Sequence, residues 1–529
     1  MQVAELDTTV RDYINEIEQR HQQLETRNKE LESAVIELKN YQYKYFEVKE
    51  QLDLLLHKRF GRSAEQLLED KSQPLLFEPE AVPSESDVQA KQEETLKIKS
   101  YSRKKGGRKP LSDNLTRDER VIDIPESEKT CACGAKLTRI GEEVSEKLQI
   151  IAPRIFVEKI VRPKYACRQC EGTEDEEKAV VRIAPVEPSI IPKSIVSPSL
   201  LSTIVTQKFE MHLPYYRQEK QFEYIGVTIS RQDMSNWQQK AYQNLAPLFG
   251  FLKESLKSGP VIQMDETTVQ VMGEEDRKDT QKSYMWLARG GLPGKKVLWY
   301  EYHETRASHN AKKFLEGYKG YLQTDGYEGY DCAVKDMPGI IHVGCFAHAR
   351  RKFFEAAKVA KDGRTAQEGI KYIRNLYDIE DDLRSQGLDD IKFLSERKAQ
   401  AEPALEKFKT WLMKRQEDIP PTLLLGKAIH YSLAQWDKMA AYLGSQQLTP
   451  DNNACENAIR PFVLGRKNWL FCKSPQGAES SCGMYTLIET AKQNGLIPFN
   501  YLIALLERAP LAVLPEDWKK LLPWNIFTA

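Results

Sequence analysis

The first part of the chain carries an apolar residue at every seventh position, and a more polar series stands three residues before most of them. Such a heptad repeat predicts a long helix that pairs with another helix through the two series. The apolar series is Ile17, Leu24, Leu31, Leu38, Tyr45 and Leu52, and the second is Ile14, His21, Asn28, Val35 and Gln42. We expect a coiled-coil oligomerisation segment within residues 1–70. A long solvated helix docked on its own chain is the alternative.

Residues 71–118 have the composition of a linker. An acidic, proline-containing stretch, FEPEAVPSESD, gives way to a basic one that ends in KKGGRKP. Basic residues in an extended Gly/Pro frame are typical of arms that enter the minor groove of DNA, although a solvated hinge has the same composition. The candidate DNA contacts in this arm are Arg103, Lys104, Lys105, Arg108 and Lys109.

Two close pairs of cysteines, separated by a segment with strand-like alternation, follow between residues 119 and 185. They are Cys131 with Cys133, and Cys167 with Cys170. Two thiolate pairs brought together by a hairpin supply the four ligands of a closed tetrahedral zinc site. This predicts a zinc ribbon with structural Zn²⁺, although the first pair has one spacer residue fewer than usual. Four unpaired reduced thiols are the alternative.

Residues 186–255 are predicted to be helical. A break at Gly226 is followed by Ser230, which suits the N-cap of a second helix. This is the outline of a helix-turn-helix, in which polar residues early in the second helix reach DNA; many helical hairpins share it. The candidate DNA contacts here are Arg231, Gln232 and Asn236.

From residue 260 the pattern changes to strands. The segments PVIQMDETTVQVM, SYMWLARG and KVLWYEYH alternate and are joined by short turns, which predicts an antiparallel three-stranded meander. Two strand segments, GYLQTDGYEGY and GIIHVGCFAHA, follow, each bordered by helical segments. This order is the plan of a ribonuclease H-like fold. We therefore predict a multidomain α+β protein with a catalytic domain over residues 256–475, a charged helical insertion at about 356–445, and a helical segment over 476–529.

Carboxylates occupy positions in this domain that a metal site would use. Asp265 lies on the first strand and Asp325 at the end of the fourth, and these strands are neighbours in the predicted topology. A third acid is expected from a helix: Glu355 is one candidate, and Glu456 is favoured because small residues and a helix start surround it. Read alone, Glu456 would be a helix-end acid paired with Arg460. Carboxylate oxygens are the ligands that Mg²⁺ prefers, and two such ions assist phosphoryl transfer.

Composition sets the remaining limits. The chain has 529 residues, with Lys+Arg and Asp+Glu both at 77, so any binding of a polyanion must depend on local clusters of charge. Nine cysteines do not resemble a secreted disulfide framework. The charged N-terminus lacks an apolar signal core, and no apolar run approaches the roughly 18 residues that span a bilayer. We expect a cytoplasmic protein with no membrane partner.

Motifs along nearly the whole chain resemble those of the insertion-sequence-66 family of DDE transposases. They occur in the same order: KRFGRSAEQL, the paired cysteines, LPYYRQE, DETTVQV, QTDGYEGYD, CFAHARRKFFE, ENAIRPFVLGRKNWLF, TLIETAKQNGLIPFNYL and LLPWN. The resemblance implies a leucine-zipper segment, a zinc-binding segment and a catalytic domain whose triad falls on Asp265, Asp325 and Glu456. Departures are the short first cysteine pair and Asn457, which stands where an arginine is common.

The resemblance also implies a reaction. Two Mg²⁺ or Mn²⁺ ions per active site would support cleavage at the ends of an insertion sequence and attack of the exposed 3′-hydroxyl on target DNA. Its partners would be element and target DNA, a second copy or higher oligomer of the chain, and accessory proteins of the same element, at the bacterial nucleoid. The candidate phosphate contacts are His348, Arg350, Arg351, Arg460, Arg466 and Lys467. Trp469 is a candidate to stack on a base or to lie in the core.

Two other functions stay open. A DNA-binding regulator would use the coiled coil, zinc ribbon and helix-turn-helix, and its acids would be inert. A structure-specific nuclease of the same fold would hydrolyse DNA and never join strands.

Overall fold

The computed structural model describes residues 8–60, 123, 136, 155–166, 181–359 and 363–527. The chain divides into two compact units, one formed by Met1–Pro79 with Glu187–Ala529 and the other by Glu80–Val186. In the second unit, strands β1 (Lys164–Ala166) and β2 (Val181–Ile183) pair antiparallel.

Two groups of predicted functional residues lie outside the described residues. These are the predicted zinc ligands Cys131, Cys133, Cys167 and Cys170 and the basic-arm residues Arg103, Lys104, Lys105, Arg108 and Lys109. Their predicted roles remain predictions.

The heptad segment forms one helix, α1 (Thr8–Phe60). Its apolar series is exposed along its length; Leu24 is 60% exposed and Leu38 is 68% exposed. Towards its end, both oxygens of the Glu50 carboxylate accept a hydrogen bond from the backbone N–H of Leu424, at 3.0 Å. The predicted helix is therefore present, and its pairing with a second helix stays a prediction.

Four helices lie between β2 and the central sheet: α2 (Pro198–Phe209), α3 (Tyr215–Tyr224), α4 (Arg231–Asn244) and α5 (Ala246–Lys257). The break before α4 contains Gly226, whose φ of +81° suits a residue without Cβ. Ser230 is the N-cap of α4, and its hydroxyl accepts a hydrogen bond from the N–H of Asp233. Both the break and the cap occur where the sequence predicts them.

The central sheet has three antiparallel strands followed by two parallel ones. Its elements are β3 (Val261–Val271), β4 (Lys282–Gly290), β5 (Val297–His303), α6 (Ser308–Leu315), β6 (Gly320–Gln323), α7 (Glu328–Val334), β7 (Ile340–Val343) and α8 (Phe346–Val359). The strand order is β5-β4-β3-β6-β7. β3 pairs antiparallel with β4 and parallel with β6, so it lies at the centre of the sheet. This order of strands and helices matches the order that the sequence predicts.

A helical insertion follows α8. It consists of α9 (Arg364–Ser385), α10 (Asp390–Asp418), α11 (Leu424–Ala434), α12 (Trp436–Ala440) and a 3-10 helix over Ala441–Gly444. Arg397 of α10 has no exposed side-chain surface. It pairs with Glu380 of α9 and donates hydrogen bonds to the carbonyls of Tyr442, Ser445 and Leu448. Arg397 therefore fixes the segment through which the chain returns to the sheet.

The chain then forms α13 (Asn453–Trp469), β8 (Phe471–Cys472), α14 (Pro475–Gln493), α15 (Pro498–Arg508), a 3-10 helix over Ala509–Leu511 and α16 (Pro515–Lys520). β8 pairs parallel with the end of β3. Strand β5 lies at the sheet edge, where unpaired backbone groups need partners. The hydroxyls of Thr486 and Thr490 in α14 accept hydrogen bonds from the N–H groups of Tyr300 and Leu298, so α14 covers this edge.

One hydrophobic core joins the helices before the sheet, the sheet and the C-terminal helices; its members run from Ile190 to Ile526. A second core lies between the insertion, α8 and the sheet, around Phe353, Phe408 and Trp436. Among the described helices, none combines the length and apolar character needed to cross a membrane.

Candidate active site

Two of the predicted acids lie side by side in the sheet. The parallel pairing of β3 with β6 sets Val261 against Tyr321 and Gln263 against Gln323. Continued past the end of β6, the same register places Asp325 level with Asp265. The Asp265 carboxylate accepts a hydrogen bond from the N–H of Glu266 at 2.8 Å, and the Asp325 carboxylate accepts one from Tyr327 at 3.0 Å.

The third acid reaches them from α13. Glu456 lies in the first turn of that helix, and its side chain is 13% exposed. The start of α13 is bound to β3, because the amide Nδ2 of Asn452 donates a hydrogen bond to the carbonyl of Met264 at 3.0 Å. Met264 directly precedes Asp265, so one hydrogen bond connects the backbone near both acids. The rejected candidate Glu355 lies on an exposed position of α8.

The carboxylates affect one another electrostatically. Burial, with the neighbouring charges of Glu266, Glu456 and Asp325, raises the pKa of Asp265 to about 8. Burial also raises the pKa of Glu456, and Arg351 opposes that effect. Buried carboxylates that influence one another in this way repel unless a cation or a proton joins them. Carboxylate oxygens are the donors that hard divalent cations prefer, so this donor set fits Mg²⁺ or Mn²⁺.

A fourth acid, Glu266, was not predicted. Its side chain is 1% exposed and is bound by Arg306 and by the hydroxyl of Tyr330. The Arg306 guanidinium also lies 4.0 Å from the Asp325 carboxylate and stacks over the ring of Tyr327 at 3.7 Å. Successive side chains of a strand point to opposite faces of the sheet, so Glu266 points away from the face on which Asp265 lies. The only signal for Glu266 in the sequence is its position next to the candidate ligand Asp265.

Basic side chains from α8 lie against Glu456. Nδ1 of His348 is 3.7 Å from Oε1 of Glu456, and the Arg351 guanidinium is 3.6 Å from Oε2. Burial lowers the pKa of His348, and the charge of Arg351 lowers it further. Arg351 is thus a basic partner of Glu456. Arg460 was the partner expected if Glu456 were only a helix-end acid. Arg350 is half-buried on the same helix.

The other predicted DNA contacts occupy different environments. The Arg466 guanidinium donates to the hydroxyls of Thr267 and Thr268 in β3, at 3.2 and 3.3 Å, so it anchors α13 to the sheet. Arg460 is half-buried and Lys467 is exposed. Trp469 packs against Phe462, at 5.6 Å between ring centroids, as the core alternative predicts.

On α4, the three predicted contacts lie on the exposed side of the helix; they are Arg231, Gln232 and Asn236. The side chains of Gln232 and Asn236 bond to each other at 2.9 Å. Arg231 lies 3.9 Å from the Glu219 carboxylate of α3. These polar groups are therefore accessible, and their contact with DNA stays a prediction.

A polar network supports the residue before Asp325. His342 of β7, to which no role was assigned, lies 2.8 Å from the Thr324 hydroxyl through Nε2 and 2.8 Å from the Asp331 carboxylate through Nδ1. Lys438 of α12 completes it with an ion pair to Asp331 at 2.6 Å. Only the pairing of β6 with β7 brings these groups together, which is why the sequence did not reveal them.

Carboxylate oxygens thus meet at the centre of a mixed sheet, and basic side chains lie beside them. Such a site is suited to a divalent cation and a phosphate. Comparisons with known families identify the class of the chain. The model of the transposase IS66 family matches residues 193–480, and the zinc-finger binding domain of transposase IS66 matches residues 128–171. The IS66 C-terminal element matches residues 486–524, and transposase C of IS166 homeodomain matches residues 47–120. The chain belongs to the IS66 family of transposases.

Relatives from Sinorhizobium fredii (strain NBRC 101917 / NGR234) are similar over most of their length. Uncharacterized protein y4hP is 31% identical over 466 residues, which cover 83% of this chain and 82% of the relative. Uncharacterized protein y4jD is 31% identical over 428 residues, or 78% of this chain and 81% of the relative. Their names state no activity.

Proposed function

We propose that this transposase cleaves DNA at the ends of an insertion sequence and transfers the exposed strand into target DNA in a metal-dependent reaction. The observation that carries the proposal is the convergence of Asp265, Asp325 and Glu456 from three separate elements of the fold. Family membership supports the transposase class, and the geometry supports these three residues as its catalytic triad.

We assign the sheet to the ribonuclease H-like class. Three antiparallel strands followed by two parallel ones, with acids on the central strand and beyond its parallel neighbour, support that assignment. The helical insertion then lies between the second aspartate and the glutamate. The proposed organisation is a coiled-coil segment (1–70), a linker with a basic arm (71–118), a zinc ribbon (119–185), a helical DNA-binding region (186–255), a catalytic domain (256–475) and a C-terminal segment (476–529).

In this proposal the three carboxylates hold two Mg²⁺ or Mn²⁺ ions. When bound, such ions activate the attacking oxygen and stabilise the leaving one. The residues of the chain position the ligands: Asn452 fixes the start of α13, and Arg351 holds one oxygen of Glu456. Arg306 holds Glu266 beside Asp325, and it limits the negative charge next to the ligands.

DNA is the proposed partner, as the family implies. The proposed phosphate contacts nearest the carboxylates are His348, Arg350 and Arg351, and Arg460 and Lys467 extend the basic surface along α13. Arg466 contributes through its positioning of α13. The zinc-finger match supports structural Zn²⁺ in residues 128–171. The exposure of the apolar series of α1 supports assembly of several copies through that helix. We further propose that the reaction takes place at the nucleoid. Accessory proteins of the same element are the further proposed partners.

The triad is tested by isosteric substitutions. Asp265→Asn, Asp325→Asn and Glu456→Gln should each abolish Mg²⁺-dependent cleavage of end DNA, because an amide replaces a ligand oxygen, while DNA binding persists. Glu355→Gln is the matched control. Glu355 is exposed on α8, so this variant should cleave DNA as the wild type does. Substantial cleavage by any triad variant would remove that residue from the proposal.

A strand-transfer assay separates the transposase from its rivals. Joining of pre-cleaved ends to target DNA supports the proposal. Hydrolysis without joining supports a nuclease, and DNA binding without nicking in Mg²⁺ or Mn²⁺ supports a regulator.

A further inference from the structure

A second cluster of metal-ligating side chains adjoins the carboxylates. Within the described chain, Cys345, His348 and Glu456 each offer one ligand atom, and these atoms lie within 4.8 Å of one another. The cysteine directly precedes α8, the histidine lies in the first turn of that helix, and the glutamate comes from α13. The spacing Cys-x-x-His places the cysteine and the histidine on one side of the start of α8.

The cluster has ligand atoms that lack other partners. Nδ1 of His348 and Oε1 of Glu456 are buried, have no hydrogen-bond partner in the described structure, and face each other at 3.7 Å. Arg351 contacts the other oxygen of Glu456, so Oε1 remains available. Buried polar atoms are normally satisfied, and an atom left over in such a place indicates a missing ligand.

Cys345 supplies a sulfur donor beside these two atoms. It is 1% exposed, and its Sγ accepts a hydrogen bond from the N–H of Asn452 at 3.3 Å. Burial raises the pKa of the Cys345 thiol, and the backbone N–H groups of Asn452 and His348 oppose part of that effect. Backbone N–H groups at a helix start favour a thiolate, and a bound cation would replace the thiol proton, which leaves to solvent.

The donor set selects the class of cation. Thiolate, imidazole and carboxylate together suit Zn²⁺, whereas Mg²⁺ takes oxygen ligands. Ligand atoms around a tetrahedral zinc, with bonds of about 2.0–2.3 Å, lie about 3.5 Å apart. The histidine and glutamate atoms are already near that separation, and a small side-chain rotation brings the cysteine in.

We propose that Cys345, His348 and Glu456 bind a soft divalent cation, above all Zn²⁺, at an inhibitory site. This site shares Glu456 with the proposed Mg²⁺ pair and is separate from the cysteines of the zinc finger. Occupancy withdraws Glu456 from the carboxylate triad, so zinc stops cleavage without displacing DNA. The binding site itself is independent of the proposed function, and only the inhibition rests on it.

Binding is measured on the full-length, zinc-loaded protein by titration with Co²⁺, whose thiolate complexes absorb in the near ultraviolet. The wild type should bind one more equivalent than Cys345→Ser and should show a larger absorbance. Cys332→Ser is the matched control, because Cys332 is an exposed free cysteine and should behave as the wild type. Exchange at the zinc finger contributes equally to all three proteins and cancels in the comparison.

Inhibition is measured separately, as end cleavage at fixed Mg²⁺ with increasing Zn²⁺. Cys345→Ser should cleave normally in Mg²⁺ alone. It should need at least about tenfold more Zn²⁺ than the wild type for half-inhibition, because loss of supporting groups lowers the affinity of a metal site by about that factor or more. Thermal unfolding shows whether Cys345→Ser folds. If it does not fold, His348→Ala takes its place in the Co²⁺ titration and should bind one equivalent less than the wild type.

Equal Co²⁺ binding by wild type and Cys345→Ser, or by wild type and His348→Ala, overturns the site. An extra equivalent in a protein that never cleaves DNA supports the site and contradicts the proposed function. The two failures are therefore distinguishable.

Discussion

Replacement of Asn452 with Ala should impair cleavage by more than its effect on stability explains. The Asn452 side chain is 1% exposed and donates its hydrogen bond to the carbonyl of Met264, next to Asp265. The change removes this bond and leaves a small void at the junction of α13 with β3. Loss of one partner of a buried hydrogen bond costs about 1–3 kcal/mol, which should appear as a reduced free energy of unfolding in urea.

The functional effect of Asn452→Ala follows from where Glu456 lies. Glu456 is in the first turn after Asn452, so loosening of that turn moves the third carboxylate relative to the other two. A displacement of about 1 Å in a catalytic group can cost about 10²-fold in rate. Cleavage of end DNA should therefore fall by roughly that factor at saturating DNA and Mg²⁺, while DNA affinity stays near that of the wild type.

The matched control for Asn452→Ala is Asn494→Ala. Asn494 also donates from its side chain to a backbone carbonyl, that of Lys296, at 2.7 Å, but it lies at the end of α14. It should lose a similar amount of stability and keep its cleavage rate. Cleavage by Asn452→Ala within about twofold of the wild type, or an equal loss in Asn494→Ala, would refute the positioning argument.

Two further predictions concern the network behind Asp325 and the basic tail of α13. Asp331→Asn should destabilise the protein near neutral pH and have little effect at about pH 2. The hydrogen bond from His342 holds the pKa of Asp331 at about 2, below its ordinary 3.8. The Asp331 carboxylate therefore stabilises the protein fully above the pKa that it has in the unfolded chain, and this stabilisation disappears as the pH falls through the pKa of the folded protein. A difference in urea unfolding that does not change with pH would contradict this. Lys467→Ala should reduce the salt dependence of DNA binding by about one unit of slope, and an unchanged slope would count against its phosphate contact.

Local patterns predicted the elements of the sheet and the positions of Asp265 and Asp325 relative to its strands. Alternation identified the strand that contains Asp265, and turn residues marked the strand end before Asp325. The preference for Glu456 over Glu355 followed from its small neighbours. In the structure Glu355 is exposed, whereas Glu456 is largely buried.

The surroundings of the acids were not predictable, because they depend on contacts distant in sequence. Asn452 is the N-cap residue of α13, yet its side chain makes no cap hydrogen bond and donates instead to the carbonyl of Met264. Arg466 was expected at a phosphate and instead binds Thr267 and Thr268. Each side chain found a partner on β3, and no sequence periodicity encodes which strand a helix will meet.

The long insertion between Asp325 and Glu456 raises the question of how the two acids stay aligned. The N–H of Phe346, where α8 begins, donates to the carbonyl of Pro450 at 2.9 Å. The buried side chain of Gln323 donates to the carbonyl of Thr449 at 2.7 Å. Both ends of the insertion are thus bound together at the sheet.

Gln323 also accepts a hydrogen bond from Gln263, which in turn accepts one from Arg289. A buried row of side chains therefore links β4, β3 and β6 to the segment that leads into α13. The entropy of closing a long loop grows only slowly with its length, so these few bonds suffice to hold it closed. The position of Glu456 is consequently set by these bonds to the sheet, together with the bonds by which Arg397 holds the returning segment.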